Sequence, residues 1–382
     1  MKTMTTATLP TSPLPILQEA STPRAEAAVW QPSPYLHVAD DRLYNPHTDV
    51  TLLRGEDGYD LLRPLVEERR SGLCLTPELR GLADAGWLIE ESRDLSLSYR
   101  LKYVSLEAHT VCNQSCYFCP VSIAPRSAHF MPTEMYERIV GEIADLGEPI
   151  EAVFMISYNE PTVDKRFVDQ VRAIREAGLP PATLTNGTGL TPERVDALVE
   201  LGGLRFLSIN ISTLDRQRYK EDRGGDHLTK VLKNLDYAKD KPVGEDMHIV
   251  VLGTGDEVHQ QDFEELRDRF AGSRFKVEHW IANDRAGYLE VGLKGDGSER
   301  RLCGCEHMGS RPIHHLHINP HGECILCCQD YNETVKVGDL RGKSVREVLV
   351  GEEFARARRQ VYGLEDAPDN FLCHNCKFAL KR

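Results

Sequence analysis

Apolar and amphipathic stretches alternate along the middle of the chain. Strand-like apolar runs occupy residues 103–108, 151–157, 181–186, 204–211, 247–253 and 275–281. Segments with apolar residues at helical spacing separate these runs. Strands that alternate with helices predict a parallel sheet with right-handed crossovers. These units are too few for a closed eight-stranded barrel, so the sequence predicts an α/β fold, a partial (β/α)6 barrel of the TIM type, over residues 99–290.

The pattern differs on either side of this barrel. Residues 1–34 are rich in Pro, Thr, Ser and Ala with little periodicity, which predicts a disordered tail. Residues 35–98 have the pattern of two short strands followed by short helices, which predicts a small winged-helix-like module. Residues 300–382 combine a hairpin at 315–328, one helix at 344–363 and a Cys-rich end. They predict a small C-terminal domain held together by metal.

The composition excludes several classes of protein. With 46 Lys and Arg against 59 Asp and Glu, the formal charge of −13 argues against general binding to nucleic acid or to an anionic membrane. No run of 18 apolar residues is present, so no transmembrane helix is expected. The start of the chain lacks the continuous apolar stretch of a signal peptide, which predicts a cytoplasmic protein. In that reducing compartment, the 11 Cys are expected to bind metal rather than to form disulfides.

Most of the cysteines fall into two groups separated by a Cys-free body. Cys112, Cys116 and Cys119 follow the first barrel strand, and seven more lie between positions 303 and 376. Cys74 stands alone and is predicted to be a buried structural thiol. Three thiolates at the spacing of the first group can bind one face of a metal cluster and leave one metal position open, as catalysis requires. A zinc loop with its fourth ligand elsewhere is the alternative.

The first group resembles the signature of the radical S-adenosylmethionine (SAM) superfamily, Cys-x3-Cys-x-aromatic-Cys. The resemblance covers residues 103–287 and implies a 4Fe–4S cluster on Cys112, Cys116 and Cys119, with SAM bound to the open iron. It implies that one electron from the cluster cleaves SAM, and that the resulting 5′-deoxyadenosyl radical abstracts a hydrogen atom from the substrate. The protein is then expected to hold cofactor and substrate in line and to exclude water.

Residues at the other strand ends resemble the family's SAM contacts. The sequence from Ser157 to Pro161 stands where the family usually has Gly-Gly-Glu-Pro, and Glu160 keeps the carboxylate that accepts hydrogen bonds from the SAM ammonium group. Asn159 replaces a glycine, so the backbone approach there is expected to differ. The other positions that the resemblance assigns to SAM are Phe118, Asn186, Ser212 and Arg223. Arg285 is a further candidate for binding cofactor or substrate.

The second cysteine group resembles the SPASM and twitch domains that follow the barrel in many radical SAM enzymes. Gly322-x4-Cys327 matches their Gly-x4-Cys element, and Cys373-x2-Cys376 matches their closing pair. Cys305 precedes the hairpin and would be the first ligand. The resemblance implies one auxiliary 4Fe–4S cluster on Cys305, Cys327, Cys373 and Cys376, because the internal Cys run that a second auxiliary cluster needs is missing.

Alternatives remain open within this second group. Cys303 competes with Cys305 and Cys328 with Cys327, and the role of Cys324 is undecided. A zinc ribbon is the alternative to an iron–sulfur cluster. The histidines of the hairpin are expected to lie at the surface or to pack rather than to bind metal. A cluster with four protein ligands has no open iron, which favours electron transfer over substrate binding.

The resemblance leaves the substrate open between two branches. Related families dehydrogenate aminocyclitols, epimerise sugars, or oxidise and cross-link ribosomally made peptides. We therefore expect oxidative tailoring of a natural-product precursor by dehydrogenation, cross-linking or epimerisation, acting either on a sugar or aminocyclitol-type small molecule or on a ribosomal peptide. An external reductant such as flavodoxin or ferredoxin is the expected partner. Polar groups for a small molecule at the barrel mouth would be Tyr158, Asn283, Asp284, Arg285 and Asp330.

Two further features bear on this choice. The N-terminal module is loosely similar to the winged-helix element with which peptide maturases bind a leader peptide by strand addition. The alternative outside enzymology is a non-catalytic iron–sulfur carrier or electron-transfer scaffold. A carrier needs no SAM contacts at the strand ends, so Glu160, Ser212 and Arg223 argue against it.

Overall fold

The N-terminal module is built around a small apolar core of its own. The computed structural model describes residues 28–382. The elements of the module are Trp30–Pro32 (β1), His37–Val38 (β2), Arg42–Asn45 (β3), Val50–Leu53 (β4), Tyr59–Glu67 (α1), Pro77–Asp84 (α2) and Leu88–Glu90 (β5). β2, β3 and β4 form one antiparallel sheet, and β1 pairs with β5. Leu43, Leu62, Leu82 and Trp87 are buried together in the core of the module.

The boundary of the module differs from the prediction. The predicted tail, residues 1–34, lies mostly outside the described residues, but its end is not disordered, because Trp30–Pro32 pair with Leu88–Glu90. A pairing between segments so far apart in sequence leaves no local periodicity to detect. Ile89 packs with Tyr35 in the barrel core rather than in the core of the module. The module therefore shares apolar packing with the rest of the molecule.

Parallel strands in chain order form the centre of the fold, which confirms the predicted partial (β/α)6 barrel. The strands are Tyr103–Leu106 (β6), Ala152–Phe154 (β7), Pro181–Thr185 (β8), Leu204–Asn210 (β9), Gly244–Gly253 (β10) and Lys276–Ile281 (β11). The helices are Thr133–Ala144 (α3), Phe167–Glu176 (α4), Pro192–Glu200 (α5), Arg216–Arg223 (α6), Leu228–Ala238 (α7) and Glu257–Arg269 (α8). All neighbouring pairs from β6 to β11 are parallel. Their carboxyl ends therefore lie at one edge of the sheet.

The C-terminal part extends this sheet instead of standing apart from it. Its elements are Leu302–Cys305 (β12), Arg311–His314 (α9), His315–Ile318 (β13), Glu323–Ile325 (β14), Lys336–Asp339 (β15), Val345–Leu349 (α10), Glu352–Val361 (α11) and Ala379–Lys381 (β16). β13 pairs in parallel with β6 and antiparallel with β14, so the predicted hairpin continues the barrel sheet. An open barrel leaves the edge of β6 unpaired, and the fully buried β13 covers it. The predicted single helix is two helices, because the chain breaks at Gly351.

One apolar core links the barrel to the C-terminal part. Ile143 and Leu207 of the barrel belong to the same buried cluster as Leu316, Val348 and Phe354 of the C-terminal part. Short 3-10 helices lie at Leu95–Leu97, Pro120–Ser122, Pro161–Val163 and Leu372–His374. Among residues 28–382, no helix has the length and apolarity that crossing a bilayer requires.

Candidate active site

The loop after β6, residues 112–119, carries the first three cysteines and is held by the end of α6. We call it the cysteine loop. The backbone N–H groups of Ser115 and Tyr117 donate to the carbonyl oxygens of Arg223 and Asp222, both at 3.0 Å. Carbonyl groups at a helix C-terminus lack partners within the helix, so the loop supplies the missing donors. The sequence did not predict α6, although this helix positions the cysteines.

Arg223 connects the cysteine loop to the end of β9. Its Nη1 lies 4.0 Å from Sγ of Cys116, and its Nη2 donates to Oδ1 of Asn210 at 2.5 Å. Its Nε lies 3.4 Å from Oγ of Ser212, and the guanidinium carbon is 5.0 Å from the centre of the Phe118 ring. Arg223 is only 1% exposed. The structure thus brings together Cys116, Phe118, Ser212 and Arg223 from the predicted site.

Glu160 lies buried after β7, and its carboxylate already accepts four hydrogen bonds. Oε1 accepts hydrogen bonds from the backbone N–H of Thr162 at 3.1 Å and from the hydroxyls of Thr162 and Thr185, both at 2.5 Å. Oε2 accepts from the backbone N–H of Asn186 at 2.7 Å. Burial raises the pKa of Glu160, although these donors favour its ionised form. Oε2 has capacity for another donor, such as an ammonium group.

Asn186 ties the ends of β7 and β8 to the cysteine loop. Its side-chain Nδ2 donates to Oδ1 of Asn113 at 2.8 Å, and Nδ2 of Asn113 donates to Oγ1 of Thr188 at 2.9 Å. The backbone N–H of Glu160 donates to the carbonyl oxygen of Val111 at 3.0 Å. The strand ends and the loop therefore form one hydrogen-bonded unit. Asn113 was not singled out from the sequence, because an Asn within a cysteine motif has no distinctive pattern.

Ser157 and Asn159 are arranged differently from the other predicted residues. Oδ1 of Asn159 accepts from the backbone N–H of Ser157 at 3.1 Å, and its Nδ2 lies 3.4 Å from Nε2 of His109. The Asn159 amide therefore binds within its own loop and with the histidine that precedes the cysteine loop. Within residues 28–382, neither side chain hydrogen-bonds to a predicted SAM residue outside this pair.

The second cysteine group converges on one cavity. Cys305 at the end of β12, Cys327 after β14, and Cys373 and Cys376 near the C-terminus all line it. The backbone N–H of Gln329 donates to Sγ of Cys327 at 3.2 Å. These four thiols come from three distant stretches of chain, which only the fold brings together.

The other cysteines do not line this cavity. Cys303 and Cys328 are partly exposed and are not among the described residues that line the cavity. Cys324 is 0% exposed and packs in the apolar core. Cys74 is exposed, so the prediction of a buried thiol is wrong. It follows the apolar Leu73 near the surface of a small module, whose core has little room for additional side chains.

The chemistry of both thiol groups fits ligands of a cluster whose inorganic iron–sulfur core is cationic. Burial raises the pKa of the Cys112 thiol to about 12 and that of Cys376 to about 12, so the thiolate forms need a nearby cation such as iron. Within residues 28–382, no three His, Cys, Asp or Glu side chains are placed to share a single metal ion. A 4Fe–4S cluster does not need that arrangement, because each of its thiolates binds a different iron.

Aromatic and cationic side chains extend from the strand ends toward the second cysteine group. The Tyr158 hydroxyl donates to the carbonyl oxygen of Cys328, and its ring lies 4.7 Å from that of Tyr331. Arg126 lies 5.8 Å from the ring centre of Tyr158 and binds Glu107 through two hydrogen bonds of 2.6 and 3.0 Å. Burial raises the pKa of Tyr158 well above its usual value. Arg126, Glu107 and Tyr331 have no motif that would single them out in the sequence.

The polar residues predicted at the barrel mouth differ in how they are bound. Arg285 lies 5.6 Å from the ring centre of Tyr158, and its buried Nε has no hydrogen-bond partner in the described part of the chain. Oδ1 of Asp284 is likewise buried and unpartnered there, whereas Asn283 accepts from the backbone N–H of Arg285 at 3.2 Å. Asp330 binds its own loop through three hydrogen bonds and is therefore structural.

Comparison with known families identifies the class of protein. The Radical SAM superfamily profile matches residues 106–269, and the profile of SPASM, an iron–sulfur cluster-binding domain, matches residues 305–377. The chain therefore contains a radical SAM domain followed by a C-terminal SPASM-type domain. These two domains bind 4Fe–4S clusters and SAM.

Individual relatives are distant. A probable GTP 3′,8-cyclase from Pyrococcus abyssi is 35% identical over 127 residues, which are 33% of this chain and 40% of that protein. This chain thus matches less than half the length of that relative. GTP 3′,8-cyclase from Peptoclostridium acidaminophilum is 24% identical over 307 residues, 70% of this chain and 92% of that protein.

Solved structures share the fold at low sequence identity. Streptococcus suis SuiB bound to precursor peptide SuiA has a TM-score of 0.55 and 14% identity, covering 91% of this chain and 93% of that one. Native anSMEcpe with bound AdoMet has a TM-score of 0.52 and 15% identity, covering 69% and 84% respectively. At these identities the likeness shows the fold alone.

Proposed function

We propose that this radical SAM enzyme oxidatively modifies a peptide precursor of a natural product. Its SAM site consists of Cys112, Cys116 and Cys119 as cluster ligands and of Phe118, Ser157, Asn159, Glu160, Asn186, Ser212 and Arg223 as the surroundings of SAM. When bound, the cluster and SAM supply the one-electron chemistry that removes a hydrogen atom from the substrate. A flavodoxin or ferredoxin in the cytoplasm is the proposed source of the electron.

The residues of this site have distinct tasks. Oε2 of Glu160 accepts a hydrogen bond from the ammonium group of SAM, a charge-assisted contact in a buried setting. Arg223, held by Asn210 and Ser212, keeps positive charge beside the Cys116 thiolate. The side chains of Asn113 and Asn186 lock the cysteine loop against the strand ends, so the distance between cluster and cofactor does not depend on loop motion.

The four thiols of the second cavity are the proposed ligands of one auxiliary 4Fe–4S cluster. With four protein ligands this site offers no open iron, so its proposed role is to take up the electron that substrate oxidation releases. Tyr158 contacts the backbone of Cys328, next to Cys327, and starts from a strand end of the SAM site. The substrate position is therefore proposed beside Tyr158, where Arg285 and Asp284 present buried polar atoms without described partners.

The open edge of β4 is the observation that favours a peptide over a small molecule. β4 is the last strand of its sheet, and Val50 and Leu53 are each 46% exposed on it. An apolar edge strand whose outward backbone groups have no strand partner is a template for pairing with an extended peptide. SuiB, whose fold covers 91% of this chain, is bound to a precursor peptide in its solved structure.

The register of β4 allows a sharp test of this proposal. The backbone N–H of Leu53 donates away from β3, to the Glu56 side chain at 2.7 Å. Since outward and inward N–H groups alternate along a strand, the N–H of Thr51 also faces the open edge. Thr51→Pro removes this donor without removing a bond to β3. Thr51→Ala keeps the donor and is the matched control.

The experiment measures binding and turnover by the reconstituted full-length enzyme, with a synthetic peptide from the nearest short open reading frame as probe. Thr51→Pro is expected to weaken peptide binding about tenfold, which corresponds to one or two lost hydrogen bonds. Thr51→Ala should bind normally, and both variants should form 5′-deoxyadenosine without peptide as the unaltered enzyme does. Equal binding by both variants would exclude docking on β4. Turnover of a sugar or aminocyclitol in the absence of peptide would favour the small-molecule branch instead.

A further inference from the structure

Arg311 is a buried cation in the wall of the second cavity. It lies at the start of α9, is 8% exposed, and lines the same cavity as Cys305, Cys327, Cys373 and Cys376. Cations in protein interiors are costly unless an anion or strong acceptors compensate them. The groups that bind Arg311 therefore show whether its charge is compensated.

Only imidazoles bind the Arg311 side chain in the described part of the chain. Nη1 lies 2.9 Å from Nδ1 of His315 and 3.0 Å from Nε2 of His317, and Nε lies 3.4 Å from Nδ1 of His307. No carboxylate is among these partners. Arg126 shows the contrast, because it donates two hydrogen bonds of 2.6 and 3.0 Å to the Glu107 carboxylate, which neutralises its charge.

The hydrogen-bond geometry shows that these imidazoles leave the charge of Arg311 uncompensated. A guanidinium only donates, so Nδ1 of His315 and Nε2 of His317 must accept and carry no proton. The proton of His315 is then on Nε2, 2.9 Å from Oγ of Ser105. The proton of His317 is on Nδ1, which is buried without a described partner. Burial lowers the pKa of both histidines well below the usual value, in agreement with neutral rings.

We propose that Arg311 raises the reduction potential of the auxiliary cluster. This inference rests on the proposed ligation of that cluster by the four thiols of the cavity. Four thiolates make the cluster site anionic, and one-electron reduction adds a further negative charge and no proton. A fixed positive charge in the cavity wall stabilises the reduced state more than the oxidised state, because the interior screens charge weakly. Neutral imidazoles hold the guanidinium in place without cancelling that effect.

The test is a potentiometric titration of the auxiliary cluster, followed by electron paramagnetic resonance (EPR). The full chain carries Cys112→Ala, Cys116→Ala and Cys119→Ala, so that only the auxiliary cluster contributes a signal. Arg311→Gln, which removes the charge, is expected to shift the reduction equilibrium at least tenfold toward the oxidised state, about 59 mV for one electron. Arg311→Lys keeps the charge and should remain closer to the unaltered potential. Equal potentials for all three proteins would overturn the inference.

A second pair of variants distinguishes an effect of charge on the reduction potential from an effect of altered structure. His317→Gln keeps a neutral acceptor beside Arg311 and should leave the potential near that of the unaltered chain. His317→Glu places a carboxylate there and should lower the potential in the same direction as Arg311→Gln. If Arg311→Gln fails to retain iron, this pair decides, and equal potentials for its two members would reject the inference. Absence of iron and of any EPR signal from the unaltered cavity would instead refute the proposed cluster itself, and the role of Arg311 with it.

Discussion

The two cysteine groups are built in opposite ways. The first lies within one loop, residues 112–119, whereas the second brings together residues from 305 to 376. The first has three thiols, and three protein ligands leave one iron of a 4Fe–4S cluster open to SAM. The second has four thiols around one cavity, which closes the cluster. In the proposed function, this difference assigns bond cleavage to the local group and electron transfer to the group assembled from distant segments.

Each group nevertheless has one buried arginine with no carboxylate among its described hydrogen-bond partners. Arg223 binds Asn210 and Ser212 beside Cys116, and Arg311 binds His315 and His317 in the wall of the second cavity. In the proposed SAM site, the carboxylate of the cofactor would offer such a cation a partner. In the closed site, only the anionic cluster remains to compensate the charge. The charge of the buried arginine is therefore compensated by a different anion at each of the two sites.

The largest effect is expected from removing the first group. Replacing Cys112, Cys116 and Cys119 together by Ala should abolish 5′-deoxyadenosine formation, because SAM then has no iron to bind. Iron content should fall from about eight to about four atoms per chain, as the loss of one of two 4Fe–4S clusters requires. Cys74→Ala is the control, because that thiol is exposed and lies outside both groups. Residual 5′-deoxyadenosine in the triple variant would contradict the assignment of the SAM site.

Replacing cysteines of the second group should leave SAM cleavage intact while preventing formation of the oxidised product. With Cys373 and Cys376 replaced by Ala, we expect 5′-deoxyadenosine to form while oxidised product falls below detection, since the substrate electron has no acceptor. Iron should again fall to about four atoms per chain. Product and 5′-deoxyadenosine are measured in the same reaction by mass spectrometry. Cys328→Ala should keep the iron, because Cys328 does not line the cavity. Unchanged product from the double variant would show that the cavity has no essential redox role.

How far the sequence predicts each group follows from the same contrast. The first group was visible because its three cysteines are close in sequence and follow a strongly periodic strand. The choice of Cys327 over Cys328 as a ligand agrees with the residues that line the cavity. The shape of that cavity depends on the pairing of β13 with β6, which lies more than 200 residues earlier in the chain. The hairpin histidines were expected at the surface or in packing; His315 and His317 are buried in packing, and only their contact with Arg311 was not predicted. These contacts form where α9 passes directly into β13, and such a junction leaves no periodicity in the sequence.

A smaller, graded effect is expected at Glu160. Glu160→Gln removes the charge that binds the SAM ammonium group and should weaken SAM binding about tenfold or more, the usual value of a charged hydrogen bond. Thr185→Val removes one donor to Oε1 and keeps the charge, so its effect should be smaller. Isothermal titration with SAM measures both, and the iron content of each variant shows whether the cysteine loop is intact. Equal losses in the two variants would argue against a direct contact.

Glu160 should also make SAM binding depend on pH, and this dependence should be confined to the SAM site. Burial raises the pKa of Glu160 above its ordinary 4.5, so protonation begins at a higher pH than for an exposed glutamate. SAM binding needs the carboxylate, and affinity should therefore be full above the raised pKa and decline as pH falls through it. Glu160→Gln should lose this part of the pH profile. The iron content attributable to the second group should be unaffected over the same range.

The smallest effect tests whether α6 holds the cysteine loop. Gly224, at the end of α6, has φ of +65°, and a Cβ there would lie 2.0 Å from Oγ and 3.3 Å from Cβ of Ser115. Rotation of the hydroxyl can relieve the first contact but not the second. Gly272 has φ of +77° and nothing within 4 Å of an added Cβ, which makes it the matched control. Both Gly→Ala variants carry the left-handed backbone cost of about 1–2 kcal/mol.

The two variants should therefore differ at the SAM cluster more than in stability. Thermal unfolding is expected to show a similar loss for both, with a modest excess for Gly224→Ala. Only Gly224→Ala should displace the loop, lower the occupancy of the SAM cluster and change its EPR signal on addition of SAM. The auxiliary cluster should keep its signal in both variants, because none of its four ligands belongs to the cysteine loop. If both glycine variants alter the SAM cluster equally, backbone strain rather than contact with Ser115 explains the effect, and α6 does not position the loop.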